Sequence, residues 1–572
     1  MQGLNIRHFD FSKEGRDQVL KTKKGQDWPV VYLIHNDKEL YIGESSNMSN
    51  RFEQHLNNKE RKGLKGIEII FDDEFNKSAI LDIEQSLIQL CTADEKYKLQ
   101  NQNGGQSKKH NYYQREKYLN KLDIIWKELS LKGMTNKSLL DVRNSDLFKY
   151  SPYNTLTSEQ DNVCNAVIKD IISKFKEDKN GTSIIKGVAG TGKTIVLINM
   201  IYKLINATKY DISFSEEDEV LSEYYQIVHD IKQLVATLGH ELRIGYVVPM
   251  KSIRSTLSKV FGKTKNGLTS KMVIGPLDVI KNEYDILFVD EAHRLVQRKN
   301  ISNMGSNDAA MKKSGLDPLV DTTVDLIVKN AKYKVFVYDS NQTVKGSDVT
   351  EDQFRKAISK ESVQEHTLKS QMRCKGGESY VSYLDEILNC SQELFQEIED
   401  YDFQIFDDVD KMINKIKELD KELGLCRNAA GYSWKWKSKK KKYEDVMKNN
   451  LQDIEIQGHK YVWNATNSEF ILSKNAINEI GCIHTMQGYD LNYVGVIFGR
   501  EIDYNPKTNK IEINLKNFYD TNVKKATDYE TVKQYIINSY KVIMERGIKG
   551  CYVFACNENM QQYLKRFIKE NK

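Results

Sequence analysis

The chain has 572 residues, 40% hydrophobic and 29% charged, with a formal net charge of +5, a balance that suits three or four globular domains of ordinary size. Its eight cysteines form no CxxC pair and no zinc spacing with histidine, which excludes a disulfide scaffold and leads us to expect reduced thiols in a cytoplasm. No stretch is long and apolar enough to span a bilayer, and the polar segment Met1 to Gly25 lacks a signal core, so the expectation is a soluble intracellular protein without membrane contact.

In chain order, residues 1–28 read as a polar tail. A strand, Val30 to Ile34, a polar turn at Asn36-Asp37 and a second strand, Leu40 to Ile42, have hairpin punctuation. A helix from Met48 to Leu56 puts Arg51 and His55 four residues apart on one face. A later helix, Ala79 to Leu90, carries Glu84 among Ile80, Ile83, Leu87 and Ile88. The segment from His110 to Tyr150, whose one glycine is Gly133, reads as a helical connector.

The next strand, Thr182 to Ile185, gives way to GVAGTGKT, Gly187 to Thr194, and then to a helical run, Ile195 to Leu204. That is a phosphate-binding loop. Gly187, Gly190 and Gly192 let backbone N–H groups around Thr191 turn onto phosphates, Lys193 reaches the β and γ oxygens, and Thr194 holds Mg²⁺. Ahead of it, Gln160 precedes an amphipathic helix through Val163, Val167 and Ile171, and its carboxamide suits adenine. After it, the strand Ile286 to Val289 runs into Asp290, which completes the Mg²⁺ shell, and Glu291, which orients the attacking water. His293 is equally compatible with a neutral strand cap and with coupling to nucleic acid.

Further polar clusters sit at strand ends, where open parallel sheets bind ligands. They are Tyr338 to Gln342 after the strand Val335 to Val337; Gln371-Met372-Arg373; Ile483 to Gly488 ahead of Val494 to Phe498; and Tyr540 to Gly547, with Arg546, ahead of Cys551 to Ala555. Ser213 to Leu238 reads as an acidic-then-apolar helical insertion, Arg298 to Gly315 as a polar mobile loop, and 390–480 as a long insertion. Trp434 to Tyr443 interleaves aromatics with lysines; it fits base stacking with phosphate contact, and it fits a solvated charged loop. The net basicity suits nucleic acid without proving it, because a bias toward Lys, Asn, Ile and Tyr also follows from A/T-rich codons.

The ordered series resembles superfamily 1 helicases, which have two RecA-like lobes with ATP between them. More narrowly it resembles the Schlafen-type helicase domain, whose own motifs look like Val248 to Leu257 and Val273 to Pro276. The resemblance covers about residues 150 to 565. It implies ATP with Mg²⁺, contacts from Gln160, Gln342 and Gly488, and charge-stabilising arginines at Arg373 and Arg546. Lys541 and Glu545 depart from the family's more usual Arg and Thr.

Residues 28–105 resemble a GIY-YIG nuclease, with Val30-Val31-Tyr32 and Tyr41-Ile42-Gly43 standing for the two halves of the name. The arginine eight residues after Gly43, the histidine four further on and a glutamate on a downstream helix match its spacing. Taken singly, each residue reads better as packing; five types at matching intervals reverse that. The resemblance implies that Tyr32 helps deprotonate water, Arg51 holds phosphate, Glu84 binds Mg²⁺ or Mn²⁺, Tyr41 and His55 orient and assist, and Asn101, with Asn103 as alternative, closes the site.

The expected architecture is α/β: a small α/β nuclease domain at 29–110, a helical connector at 111–150, and two RecA-like parallel-sheet lobes at 151–365 and 366–572 with helical insertions. The expected function is an ATP-dependent nucleic-acid motor coupled to a metal-dependent endonuclease, with DNA favoured as the target and RNA-directed cleavage as the alternative, and with defence against phage suggested by analogy. Two other readings stand beside it: an ATPase switch that gates the nuclease without unwinding, and a nucleic-acid sensor or scaffold whose nuclease is inert.

Overall fold

The computed structural model describes residues 3–101, 112–187, 190–209, 221–264, 267–299, 301, 303–339, 347–369, 374–439, 441–466, 470–486, 489–520, 523–524 and 528–571. The chain divides into two compact units: one of Met1–Asn165, Ile195–Val228 and Leu257–Ser270, the other of Ala166–Thr194, His229–Thr256 and Lys271–Lys572.

The first unit is built on a five-stranded sheet of β1 (Asn5–Asp10), β2 (Val30–His35), β3 (Glu39–Ser45), β4 (Gly66–Phe71) and β5 (Lys98–Leu99), in the order β1-β4-β2-β3-β5. The β2–β3 hairpin turns where expected because Asn36 Oδ1 accepts from the backbone N–H groups of Lys38 and Glu39 at 2.8 and 2.7 Å. Residues 1–28 are not a tail. β1 pairs antiparallel with β4, α1 (Lys13–Leu20) is capped by Ser12, and Phe9 and Val19 join the core of Val30, Tyr32, Ile34, Ile67, Ile69 and Phe71. α2 (Met48–Asn57), capped by Asn47, adds Met48 and Phe52 to that core. α3 (Lys77–Asp94), capped by Asn76, runs four residues beyond the expected end. The connector is helical as expected, with α4 (Arg115–Leu131), α5 (Leu139–Asn144) and α6 (Asp146–Lys149).

The second unit contains two large sheets, the first parallel and the second parallel except for its antiparallel pair of Ile454–Ile456 with His459–Trp463. The first comprises β6 (Gly181–Gly187), β7 (Ile244–Val247), β8 (Val273–Ile274), β9 (Tyr284–Val289), β10 (Ala331–Tyr338) and β11 (Ser362–Leu368), in the order β11-β6-β10-β9-β7-β8. β11 pairs with β6 along its whole length, so the first lobe extends past the expected boundary at 365. Arg298 to Gly315 is not a loop throughout: Met304–Lys313 is a helix held by buried Ala310 and Met311. Of the expected insertion at 213–238, Leu221–Leu238 is helical and the part before it lies outside the described residues.

The second sheet comprises β12 (Asp402–Ile405), β13 (Cys426–Ala430), β14 (Ile454–Ile456), β15 (His459–Trp463), β16 (Glu479–Gly481), β17 (Leu491–Phe498), β20 (Gly547–Ala555) and β21 (Lys569–Glu570). Between β17 and β20 the chain makes a separate hairpin, β18 (Ile502–Asn505) with β19 (Lys510–Ile513). Segment 390–480 is therefore integral rather than inserted. It supplies β12 to β16, and β13 pairs in parallel with the central β17. The aromatic–lysine segment is corrected as well: Trp434 is buried, and Trp436 packs edge-on to Trp463 with centroids 5.8 Å apart. Asp453 fixes this loop by accepting from the N–H groups of Lys437, Ser438 and Trp463 at 2.6, 2.8 and 3.0 Å. Lys435, Lys437, Lys439, Lys441 and Lys442 are exposed, while Trp434 is buried and Trp436 is half-buried against Trp463.

Candidate nuclease and ATPase sites

Strand alternation aims Tyr32 of β2 into the pocket beside α2, and register places it opposite Gly43 of β3. A Cβ at Gly43 would lie 2.3 Å from Tyr32 Oη, so the glycine of the second half-motif makes room for the tyrosine of the first. His55 Nε2 lies 2.7 Å from Tyr32 Oη, and Arg51 Nε donates to the same oxygen at 3.2 Å. Tyr41 packs against His55 with ring centroids 4.9 Å apart, and the Arg61 guanidinium lies 3.9 Å over the Tyr41 ring. Five residues expected at this site, Tyr32, Tyr41, Arg51, His55 and Glu84, are thus brought into one electrostatic neighbourhood.

Charge decides their resting states. Burial pushes the Tyr32 phenol well above its usual range, helped by Tyr41, and the opposing Arg51 does not overcome it. Burial, then Arg51 and Arg61, drive His55 down to about 3, so its imidazole is neutral near pH 7. The Glu84 carboxyl goes the other way: burial, with Glu44 nearby, pushes it up to about 8 against the pull of Lys77 and Arg51. Lys77 Nζ itself donates to both Glu44 oxygens at 2.7 Å. A buried carboxyl whose ionised form lacks a compensating charge, and which therefore keeps its proton to about pH 8, fits a divalent cation, because the cation supplies the positive charge that the pocket lacks.

Asn101 acts on the strand backbone. Its carboxamide accepts from Ile42 N–H at 3.0 Å and donates to Ile42 O at 2.7 Å, so it positions the β3 backbone between Tyr41 and Gly43. Asn103 lies outside the described residues.

Replacing Gly43 by alanine is expected to displace the Tyr32 ring from His55, because overpacking a filled core costs about 1–3 kcal/mol. Nuclease activity should fall at least about tenfold while ATP hydrolysis by the same preparation stays at the wild-type rate, a cost of roughly 1.4 kcal/mol in the nuclease barrier. The ratio of the two rates is the measurement.

In the phosphate loop, Gly190 and Gly192 take φ of 89° and 77°, in the left-handed region that a side chain resists. Lys193 Nζ donates to Gly187 O and lies 3.6 Å from Asp339 Oδ2. Thr194 Oγ1 donates to Asp290 Oδ2 at 2.8 Å, the pairing expected of two groups that share a cation. Tyr246 of β7 also donates to that oxygen at 2.8 Å, and Glu291 N–H donates to Oδ1 at 3.0 Å. Burial and the neighbouring Glu291 raise Asp290, whereas His293, with Lys193 and Arg546 behind it, holds Glu291 low despite its own burial. His293 is fully buried, with Nε2 2.9 Å from Glu291 Oε2.

Arg546 is 2% exposed and its Nε donates to Val542 O at 3.2 Å. Lys541, the residue that departs from the family, is held by Asp385 at 2.5 and 2.6 Å. Gln160 Oε1 accepts from Thr157 N–H at 3.0 Å, capping its own helix. Val188, Gln342, Arg373 and Gly488 lie outside the described residues. Sequence reasoning missed Tyr246 and underrated Asp339; the signal for Asp339 was its position at the end of β10, and Tyr246 had none, since only strand order sets it beside Asp290.

Two phosphate chemistries thus share one polypeptide, and the fold defines an ATP-hydrolysing helicase-type enzyme carrying an endonuclease domain. Residues 29–98 match the GIY-YIG catalytic domain, and residues 181–557 match the Schlafen group 3, DNA/RNA helicase domain. The chain belongs to the Schlafen group 3 helicase family. It is similar to Uncharacterized protein YPL245W of Saccharomyces cerevisiae, 26% identical over 449 residues that cover 72% of this chain and 91% of that protein. Among solved structures it is similar to the Pif1 helicase from Candida albicans, at 11% identity and TM-score 0.24 over 72% of this chain and 99% of that one. A DEAD box protein from Methanococcus jannaschii matches at 15% identity and TM-score 0.22 over 70% of this chain and 91% of that one. No helix among the described residues is long and apolar enough to cross a membrane.

Proposed function

We propose that this protein cuts DNA with its GIY-YIG domain in a reaction that needs Mg²⁺ or Mn²⁺, and that ATP turnover in the helicase domain delivers or licenses the strand to be cut. The observation that carries this reading is the convergence of Arg51 and neutral His55 on one buried phenol oxygen, with Glu84 in electrostatic reach. Tyr32 takes the proton from water as its own passes to His55 Nε2, whose neutral ring has a lone pair to offer and whose imidazolium, disfavoured by burial and by Arg51 and Arg61, the negative charge of the phosphate would stabilise. Arg51 then meets both the developing phenolate and the phosphate, where a charge-assisted hydrogen bond is worth about 1.5–3 kcal/mol. Tyr41 holds His55 in place. Glu84 is the carboxylate that would hold the cation, whose chemistry when bound is to neutralise phosphate charge and acidify water. At the second site Lys193, Thr194 and Asp290 would hold the nucleotide and its Mg²⁺, Glu291 would orient the attacking water, and Arg546 would add positive charge.

The eight free thiols suit a cytoplasm, and the pairing of a nuclease with an ATPase suits bacterial defence against phage or other foreign DNA. Wild type, Glu84→Ala and Lys193→Ala are incubated with single- and double-stranded DNA and RNA, with and without ATP and each metal. Metal-dependent DNA cleavage lost in Glu84→Ala is expected. Preferential cutting of RNA would replace DNA as the target, and no cutting of any substrate by wild type would leave the inert-nuclease reading. Unchanged phage plating and plasmid establishment in a strain expressing the gene natively would remove the defence role.

One observation favours a second reading, in which the ATPase gates the nuclease without unwinding: the variant Lys541 is occupied by Asp385 rather than presented toward phosphate. ATP-dependent strand displacement that Lys193→Ala abolishes would rule this out.

A further inference from the structure

Three side chains of the nuclease sheet converge on the face opposite Tyr32. Phe9, Ile34, Ile67 and Ile69 point into the α2 core, so alternation sends His8 of β1, His35 of β2 and Glu68 of β4 to the other side. Register brings them together: His8 pairs with Glu68 across β1–β4, and His35 pairs with Gly66, two residues along the same strand. His8 Nδ1 lies 2.6 Å and His35 Nε2 lies 3.9 Å from Glu68 Oε1, and one ligand atom from each of the three residues lies within 4.8 Å of the others.

Two further observations point to a ligand. His35 Nε2 is buried and makes no hydrogen bond, although it faces a carboxylate that is itself 4% exposed. Gly66 also keeps the space open: a Cβ there would lie 2.9 Å from His8 Cε1 and 3.2 Å from both Cε1 and Nε2 of His35. A cation between these atoms would satisfy the orphaned nitrogen, with His8 Nδ1 opening from its 2.6 Å contact and His35 Nε2 closing from 3.9 Å toward the roughly 3.3 Å that separates two ligands of one tetrahedral zinc. Lys132 Nζ sits 3.1 Å from the other oxygen, Oε2, where it steadies the carboxylate and leaves Oε1 to the imidazoles.

We infer that His8, His35 and Glu68 form a binding site for a divalent transition metal of the zinc class, separate from the two phosphate-hydrolysing centres, that staples β1 to the nuclease sheet. Two imidazoles and one carboxylate are the donor set that zinc prefers over magnesium or calcium, and His8, half exposed, gives the cation a path from solvent. Because each ligand comes from a different strand, bound metal would resist the peeling of an edge strand that contributes only Phe9 to the core.

The test uses the full chain, titrated with Zn²⁺ and, separately, with Co²⁺. We expect one tight equivalent of Zn²⁺, a visible cobalt spectrum without the near-ultraviolet thiolate band that cysteine ligands would give, and a rise in the melting temperature. His35→Ala and Glu68→Gln should weaken this equivalent at least about 100-fold, and the milder His8→Ala at least about tenfold. Glu84→Gln should leave it unchanged. If His35→Ala fails to fold, His8→Ala, at a half-exposed position, carries the test. Absence of a tight equivalent, a thiolate band, or affinity unchanged in His8→Ala would each overturn the proposal.

Discussion

Glu84→Gln is expected to reduce phosphodiester cleavage by about 10³-fold, roughly 4 kcal/mol, with ATP hydrolysis unaltered. Glutamine keeps the shape and removes only the charge, so the loss reads the carboxylate itself. The wild-type protein should also show a pH signature that the variant lacks. Burial and Glu44 raise the Glu84 carboxyl to about 8, and the acid must ionise before it can hold a cation. Below that value proton and metal compete, so at limiting Mn²⁺ the cleavage rate should climb about tenfold per pH unit and level off once the carboxyl is ionised. His55 should contribute no limb near 6.5, because it is already neutral down to about 3. Cleavage rates between pH 5.5 and 9, at fixed subsaturating Mn²⁺ and without nucleotide, measure both effects; a flat profile would remove Glu84 as the metal-holding group.

Lys193→Ala is the second large effect. Removing the ammonium that neutralises the β and γ oxygens is expected to lower ATP hydrolysis by about 10³-fold, because phosphoryl transfer depends on positioning and charge stabilisation rather than covalent help from the protein. Its present neighbours, Gly187 O and Asp339, are the groups it must leave or share when nucleotide binds. Phosphate release by the purified variant measures the loss. Cleavage of a substrate that wild type cuts without ATP should persist in Lys193→Ala; its loss would mean that the two centres are obligatorily coupled.

The phosphate loop was legible because its information is contiguous: Gly190 and Gly192 take left-handed φ, the helix starts at Lys193, and Thr194 pairs with Asp290. The nuclease residues were legible by interval, although their meaning depended on resemblance, since a tyrosine in a hairpin says nothing of itself. What interval could not give was their electrostatic state. The neutrality of His55 and the raised acid at Glu84 arise first from burial, then from Arg51 and Arg61 on His55 and from Glu44 on Glu84, and the motif names neither Arg61 nor Glu44.

The sequence by itself determined the two chemistries, the order of the units and the positions of most strands and helices, because strand alternation, helix caps and a phosphate loop are read over a few consecutive residues. Only the tertiary structure decided that Asn5–Asp10 is a strand, that segment 390–480 builds half a sheet, that Trp434 is buried and that Trp436 packs on Trp463. Each of these depends on a distant partner: β4 for β1, β17 for β13, Asp453 for the tryptophan loop. Pairing across tens of residues is selected by the free energy of the assembled core, a quantity that no local window contains.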